Sequence, residues 1–238
     1  MKYINIEKLR DLDRDEFLRI KPYPYFNEEG VLTEQGYLDL LHNMPSLDLF
    51  DTRIGEQRLG GQVPHDRYSL EYKPGLGVPQ PWQEFIAELR SDAYRHELER
   101  LLGARKLEFR MHWHYTPSGM DVSPHCDARR EHGSHLFYFN SKEDWDPAWG
   151  GATLVLDDGG RLDYRTAPAL EEFDAVHEVE SIGNYSVLIL RTDRAWHAVR
   201  PIECPEDRMR RIFILVANPD KLFWKVRDRI IGKKIQRL

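Results

Sequence analysis

The chain of 238 residues carries 34 Lys and Arg against 40 Asp and Glu, a formal net charge of -6, with 41% hydrophobic and 11% aromatic residues. That apolar share supports a substantial core in one large domain or two small ones, and all-β barrels of this size often form a single domain. The acidic balance argues against a general nucleic-acid binder, whose phosphate affinity rests on clustered cations.

Met1 to Lys8 reaches charged residues within one helical turn, so it offers neither an apolar signal core nor a membrane span, and a cytoplasmic protein is expected. From there to about Lys106 the periodicity is mostly helical, with apolar residues three or four apart over 36–41 and again over 82–89. Ser91 is placed to cap a further helix that runs through Tyr94 and Leu98 to Leu102 and ends at Gly103. The Gly/Pro-rich runs 60–64 and 74–79 read as surface turns.

From Leu107 the pattern changes to short strands over 107–115, 134–140, 152–156, 186–190 and 211–217. The expected fold class is α+β, mainly β: a double-stranded β-helix (jelly roll) core over 107–218, with supporting N-terminal helices over 1–106. After Pro219, Leu222, Phe223, Val226, Ile230 and Ile231 predict an amphipathic C-terminal helix within 219–238. Asp157 to Val179 reads as an acidic, proline-containing insertion. Of the two cysteines, Cys126 lies between chemically active residues, which makes a disulfide framework improbable.

Those residues are His125 and Asp127, joined far downstream by His197 and then by Arg208-Met209-Arg210-Arg211-Ile212. Two residues apart on a strand, His125 and Asp127 point the same way, so one strand can offer both to one ion, with Cys126 turned away. Two histidines and one carboxylate on one face of a metal leave the opposite face open, the donor set of non-haem Fe(II) oxygenases. A His-x-Asp pair alone is weak, since chance supplies it readily in a chain with ten histidines.

The surroundings are more specific. Tyr115 through Gly119 form a strand end and turn before His125 and Asp127. Tyr138-Phe139-Asn140, Trp145, Gly150-Gly151 and His197-Ala198-Val199-Arg200-Pro201 then follow in order. This series resembles the Fe(II)- and 2-oxoglutarate-dependent dioxygenase superfamily in its prolyl-hydroxylase-like branch, and the likeness extends to the lead-in Lys21 to Phe26 and Leu40 to Phe50.

The resemblance implies that His125, Asp127 and His197 hold Fe(II), that 2-oxoglutarate and O₂ are consumed, and that succinate and CO₂ are released as an unactivated C–H bond is hydroxylated. It admits ascorbate as a reductant. It also implies an arginine on the last core strand that grips the distal carboxylate of 2-oxoglutarate, a task suited to the guanidinium fork. Arg211, which opens the apolar alternation 212–216, is favoured. Arg210 is the close second, since a one-residue slip reverses the face. Tyr138 matches the tyrosine that assists this arginine, and Tyr115 a second tyrosine lining the co-substrate. The carboxylate at Asp127 implies hydroxylation over halide transfer, because halogenating relatives carry a small residue there.

Plainer readings apply elsewhere. His112 and His114 share one face of a strand without a carboxylate at matching spacing, so packing or support of the site is expected of them. His132 and His135 are expected in or beside a loop, and Trp145 and Trp149 as hydrophobic anchors. The expected substrate is a small organic molecule. A protein-residue hydroxylase of the prolyl type, a non-catalytic metal-binding jelly roll and a zinc hydrolase are the competing readings.

Overall fold

The computed structural model describes residues 1–53, 67–120 and 122–219. Strands β4 (Leu107–Thr116) and β11 (Arg210–Pro219) pair antiparallel along their whole length, from Arg210 opposite Thr116 to Pro219 opposite Leu107. Their side chains alternate between two environments. Met111, Trp113, Tyr115, Phe213 and Leu215 enter the main core, whereas His112, His114, Thr116, Arg210, Ile212 and Ile214 line a cavity. The period of two along each strand thus separates structure from site.

Around this pair lies a seven-stranded antiparallel sheet in the order β1-β9-β6-β11-β4-β3-β2. Its other members are β1 (Tyr25–Glu29), β2 (Asp51–Arg53), β3 (Arg67–Glu71), β6 (Gly133–Tyr138) and β9 (Tyr185–Leu190). A four-stranded sheet, ordered β5-β10-β7-β8, comprises β5 (Val122–His125), β10 (His197–Val199), β7 (Thr153–Asp157) and β8 (Ala175–Glu178). The cavity is walled by side chains of both sheets, a mainly β jelly-roll architecture without a closed barrel.

Helices α1 (Ile6–Arg10), α2 (Arg14–Arg19), α3 (Glu34–His42), α4 (Gln80–Leu89) and α5 (Asp92–Leu102) cover the other face of the large sheet. The Ser91 hydroxyl accepts the Tyr94 N–H at 3.4 Å, and Gly103 ends α5 in the left-handed region at φ +66°. A residue with a Cβ would be strained there. Trp82 of α4 is fully buried, with its ring 4.9 Å from Phe139 and 5.2 Å from both Trp113 and Phe213. Truncating such an aromatic costs roughly 3–5 kcal/mol, which makes Trp82 a principal link between helices and sheet.

Three strands arise where helical periodicity was expected, since β1, β2 and β3 all lie before Lys106. β1 buries only Phe26 and β2 spans three residues, so neither shows an alternation long enough to read. Their partners decide them: β1 docks on β9 with Tyr25 opposite Ile189, and β3 on β4 with Leu70 opposite Trp113. The 74–79 turn is present, while the 60–64 turn and the C-terminal amphipathic helix lie outside the described residues. The 157–179 insertion packs Leu162, Tyr164, Leu170 and Phe173 near the fully buried Trp196 and ends in β8, paired with β7. Among the described residues no helix is long and apolar enough to cross a membrane.

Candidate metal centre and cavity

Antiparallel pairing of β5 with β10 sets His197 directly opposite His125, and their ring centroids stand 4.3 Å apart. β5 ends at His125, so strand alternation does not place Asp127 as expected. Two side chains do so instead. The Ser134 hydroxyl donates to Asp127 Oδ2 at 2.9 Å, and Arg191 Nε donates to the Asp127 carbonyl at 3.0 Å. Asp127 Oδ1 is left facing His197 Nε2 at 3.7 Å.

Ligand atoms from His125, Asp127 and His197 all lie within 4.8 Å of one another, the one such group of three among the described residues. The tautomers are fixed by geometry. His125 Nδ1 lies 2.9 Å from the Ser123 carbonyl and His197 Nδ1 3.0 Å from the Ala195 carbonyl. A carbonyl can only accept, so each Nδ1 carries the hydrogen and each Nε2 presents its lone pair. The Asp127 carboxyl is held below its ordinary range: burial works against ionisation, but the facing His197 and His125 and the Ser134 hydroxyl outweigh it. Two imidazoles and one carboxylate fit a divalent iron. Cys126, between the ligands, packs with Leu154 and Trp196, and both cysteines are free thiols.

These three residues line a cavity of about 440 Å³ together with Arg210, Thr153 and His112. Arg210 is 5% exposed, and its guanidinium donates from Nε to the Gly151 carbonyl and from Nη2 to Thr153 Oγ1 at 3.1 Å. The same Thr153 oxygen accepts the Tyr138 hydroxyl at 2.8 Å, while the guanidinium lies 5.8 Å from the centre of the Tyr138 ring. Tyr138 therefore meets Arg210 through a shared threonine.

The two arginines weighed from sequence go to different faces, and Arg210 is the one that lines the cavity. Arg211 lies outside the cavity lining, pairs with Asp144, and sits opposite Tyr115 across β11 and β4. The register dictates this, since Arg210 shares the face of Ile212 and Ile214, and Arg211 that of Phe213 and Leu215. Tyr115 goes with Arg211: its hydroxyl donates to the Pro45 carbonyl at 3.1 Å and its ring lies 4.2 Å from Phe50. It is a core residue.

His112 and His114 both line the cavity, with rings stacked at 4.7 Å. Burial, with Arg110 and Arg67 adding to it, pushes the His112 imidazole down to about 3, so it is neutral. His135, expected in or beside a loop, lies within a strand. It is fully buried at the centre of β6, with its ring nitrogens bonded to Tyr94 Oη at 2.7 Å and Ser186 Oγ at 3.2 Å. Trp145 is buried against Ile202 and Cys204, the anchor expected of it, with Trp149 partly buried beside them.

Sequence reading missed Thr153, Ser134 and Arg191. Thr153 begins β7 two residues after Gly150-Gly151, the one positional signal that could have marked it. Ser134 lies seven residues after Asp127 and Arg191 six before His197, but neither sits in a motif that marked it.

No protein-family model and no curated protein matches the sequence. Solved structures do. A prolyl-4-hydroxylase from Pseudomonas putida superposes with a TM-score of 0.59 at 18% identity, covering 82% of this chain and 92% of the other. A prolyl hydroxylase from Trichoplax adhaerens, in complex with a hypoxia inducible factor oxygen degradation domain peptide fragment, has a TM-score of 0.59 at 14% identity, covering 96% and 94%. The non-haem α-ketoglutarate-dependent carbocyclase SnoK from nogalamycin biosynthesis has a TM-score of 0.60 at 13% identity, covering 89% and 85%. The chain thus has the fold of prolyl hydroxylases and other 2-oxoglutarate, Fe(II) oxygenases.

Proposed function

We propose that this chain is one oxygenase domain in which His125, Asp127 and His197 hold Fe(II), Arg210 grips 2-oxoglutarate, and a C–H bond of a small organic substrate is hydroxylated. One observation carries the reading: the facial donor set and a buried arginine line one cavity. A bare metal site does not require that cation. The iron, when bound, would supply oxidising power toward O₂ and an unactivated C–H bond.

The protein supplies orientation, charge and exclusion of water. The Ser123 and Ala195 carbonyls fix the imidazoles, and the Ser134 hydroxyl turns Asp127. Arg210, pinned by Gly151 and Thr153, offers a pre-aimed cation to a carboxylate, with its entropy already lost on folding. Support for a small substrate comes from the 157–179 insertion, whose Tyr164 and Arg165 line the same cavity. Hydroxylation at a peptide residue, as the name of the Trichoplax neighbour suggests for that protein, is the competing substrate class.

The test is an anaerobic titration of metal-free protein with Fe(II) and then 2-oxoglutarate, following the visible charge-transfer band of the chelate. A band that vanishes in His125→Ala supports the reading and justifies a substrate screen by succinate release. Folded, metal-bound wild type without a band overturns it in favour of a non-catalytic metal-binding jelly roll.

A further inference from the structure

A second cavity, of about 880 Å³, shares no lining residue with the metal cavity. Helix α3 contributes Glu34, Tyr37, Leu38 and Leu41, whose three- and four-residue spacing puts them on one face. The segment after β6 brings Trp145 and Trp149, and β9 begins at the cavity with Tyr185. Six acids, at 29, 34, 143, 144, 146 and 180, stand against the cations Lys142 and Arg208 in the described lining. Asp144 pairs with Arg211 and Arg208 with its neighbour Asp207, but the other five acids form no ion pair among the described residues.

Carboxylates alone do not make a site, since water solvates them well. Tyr37 is the residue that points to a ligand. It is 5% exposed, its ring is stacked on Phe139 at 5.8 Å, and its buried hydroxyl has no hydrogen-bond partner among the described residues. A buried hydroxyl left unpaired is destabilising, and the stacked ring holds it in place. Burial pushes the Tyr37 phenol up to about 12, with Arg211 opposing and Glu143 and Glu34 adding, so the hydroxyl lies in the field of two carboxylates of the same cavity. The Tyr185 phenol is raised first by Glu29, then by burial, Glu180 and Glu28, which extends the negative field from α3 to β9. Trp149 packs edge-on against the buried Trp145 with ring centres 5.5 Å apart, so aromatic rings and carboxylates line one space. That combination favours a cation with an apolar body, through charge and through the electron-rich ring faces. A neutral phenol oxygen can accept a hydrogen bond, which a cation bearing N–H can donate.

We infer that this second cavity binds a small organic cation, a protonated amine whose N–H donates to Tyr37 Oη and whose charge is balanced by Glu34 and Glu143 while its apolar part lies against Trp149. The site is distinct from the metal cavity, and the inference does not rest on the oxygenase reading.

Full-length protein is titrated calorimetrically with hexylammonium, hexyltrimethylammonium and 1-hexanol. Hexylammonium is expected to bind saturably, at least about tenfold more tightly than the alcohol, and more tightly than the quaternary ion, which has no N–H to donate. The Glu34→Gln/Glu143→Gln variant is expected to lose at least about tenfold in that affinity, and Glu171→Gln, outside the cavity, to leave it unchanged. Tyr37→Phe removes an unpaired hydroxyl, so it is expected to keep or raise the urea unfolding midpoint while erasing the preference for the primary over the quaternary ion. No saturable binding of hexylammonium, equal binding of ammonium and alcohol, or unchanged affinity in the double variant would overturn the inference. So would a preference of the wild type for the quaternary ion, or a loss in Asp127→Asn as large as in the double variant, which would move the ion to the metal cavity. A lower midpoint in Tyr37→Phe would give the hydroxyl a partner inside the protein and overturn it as well.

Discussion

Arg210 and Arg211 are neighbours in sequence and serve opposite faces of β11: Arg210 reaches Gly151 and Thr153 in the cavity, and Arg211 pairs with Asp144 on the other side. Their substitution should therefore separate binding from stability. Arg210→Ala is expected to weaken 2-oxoglutarate binding by roughly 100-fold, the order of a lost bidentate carboxylate contact. Arg211→Ala should leave that affinity within about threefold and cost about 1 kcal/mol, in line with a partly exposed ion pair. Anaerobic titration and urea unfolding of both variants measure the two effects, and a reversed pattern would refute the assignment of Arg210.

Thr153 makes a second prediction. Its hydroxyl oxygen accepts from both Arg210 and Tyr138, so Thr153→Val leaves two buried donors without that acceptor. The expected costs are about 1–3 kcal/mol of stability and roughly tenfold in 2-oxoglutarate affinity. Tyr138→Phe should do less to binding, because Arg210 keeps its threonine. In a double-mutant cycle the two changes should be non-additive, and simple additivity would show that Tyr138 acts independently of Thr153.

The clustering of His125, Asp127 and His197 and the β-rich core were readable because they rest on local regularities: His-x-Asp, a Gly-Gly strand start, and apolar alternation along β4, β6 and β11. The arginine was less so. Register decides which of two adjacent residues faces inward, and the register of β11 is set by its pairing with β4 and β6. The same register puts Tyr115 on the Arg211 face, in the core. The edge strands β2 and β3 were invisible because three and five residues without clean alternation become strands only when β4 offers a pairing edge. His135 was expected in or beside a loop, at the start of the 134–140 strand. Tertiary packing with Tyr94 and Ser186 decides its actual place.

His135 also makes stability depend on pH. Complete burial pushes its imidazole down to about 3, so the fold holds it neutral while the unfolded chain titrates near the ordinary histidine value. Between those values the unfolded state binds the extra proton. Stability from this group is thus fully present above about pH 6.5 and falls on acidification by up to about 1.4 kcal/mol per pH unit. Urea unfolding at pH 7.5 and 5.5 should show a loss for wild type that is about 1 kcal/mol larger than for His135→Gln. Equal losses would mean that other groups carry the acid sensitivity.

The contact between Ser134 and Asp127 separates positioning from ligation. Ser134 is buried on β6, and its hydroxyl holds Asp127 Oδ2, which leaves Oδ1 turned toward His197. Because β5 ends at His125, the strand does not restrain Asp127, and the serine supplies a restraint that the backbone does not. Ser134→Ala should therefore weaken Fe(II) or Zn(II) affinity by about 10–100-fold, the usual effect of removing a group that orients a metal ligand. The stability of the metal-free protein should change by no more than about 1 kcal/mol, since the methyl fits the same space. Ser134→Thr keeps the hydroxyl and should recover most of the affinity if its extra methyl is accommodated. Metal titration of the three proteins, paired with unfolding in the presence of chelator, decides the matter. Lower stability without a change in metal affinity would make Ser134 a packing residue and leave Asp127 oriented by the Arg191 contact to its carbonyl.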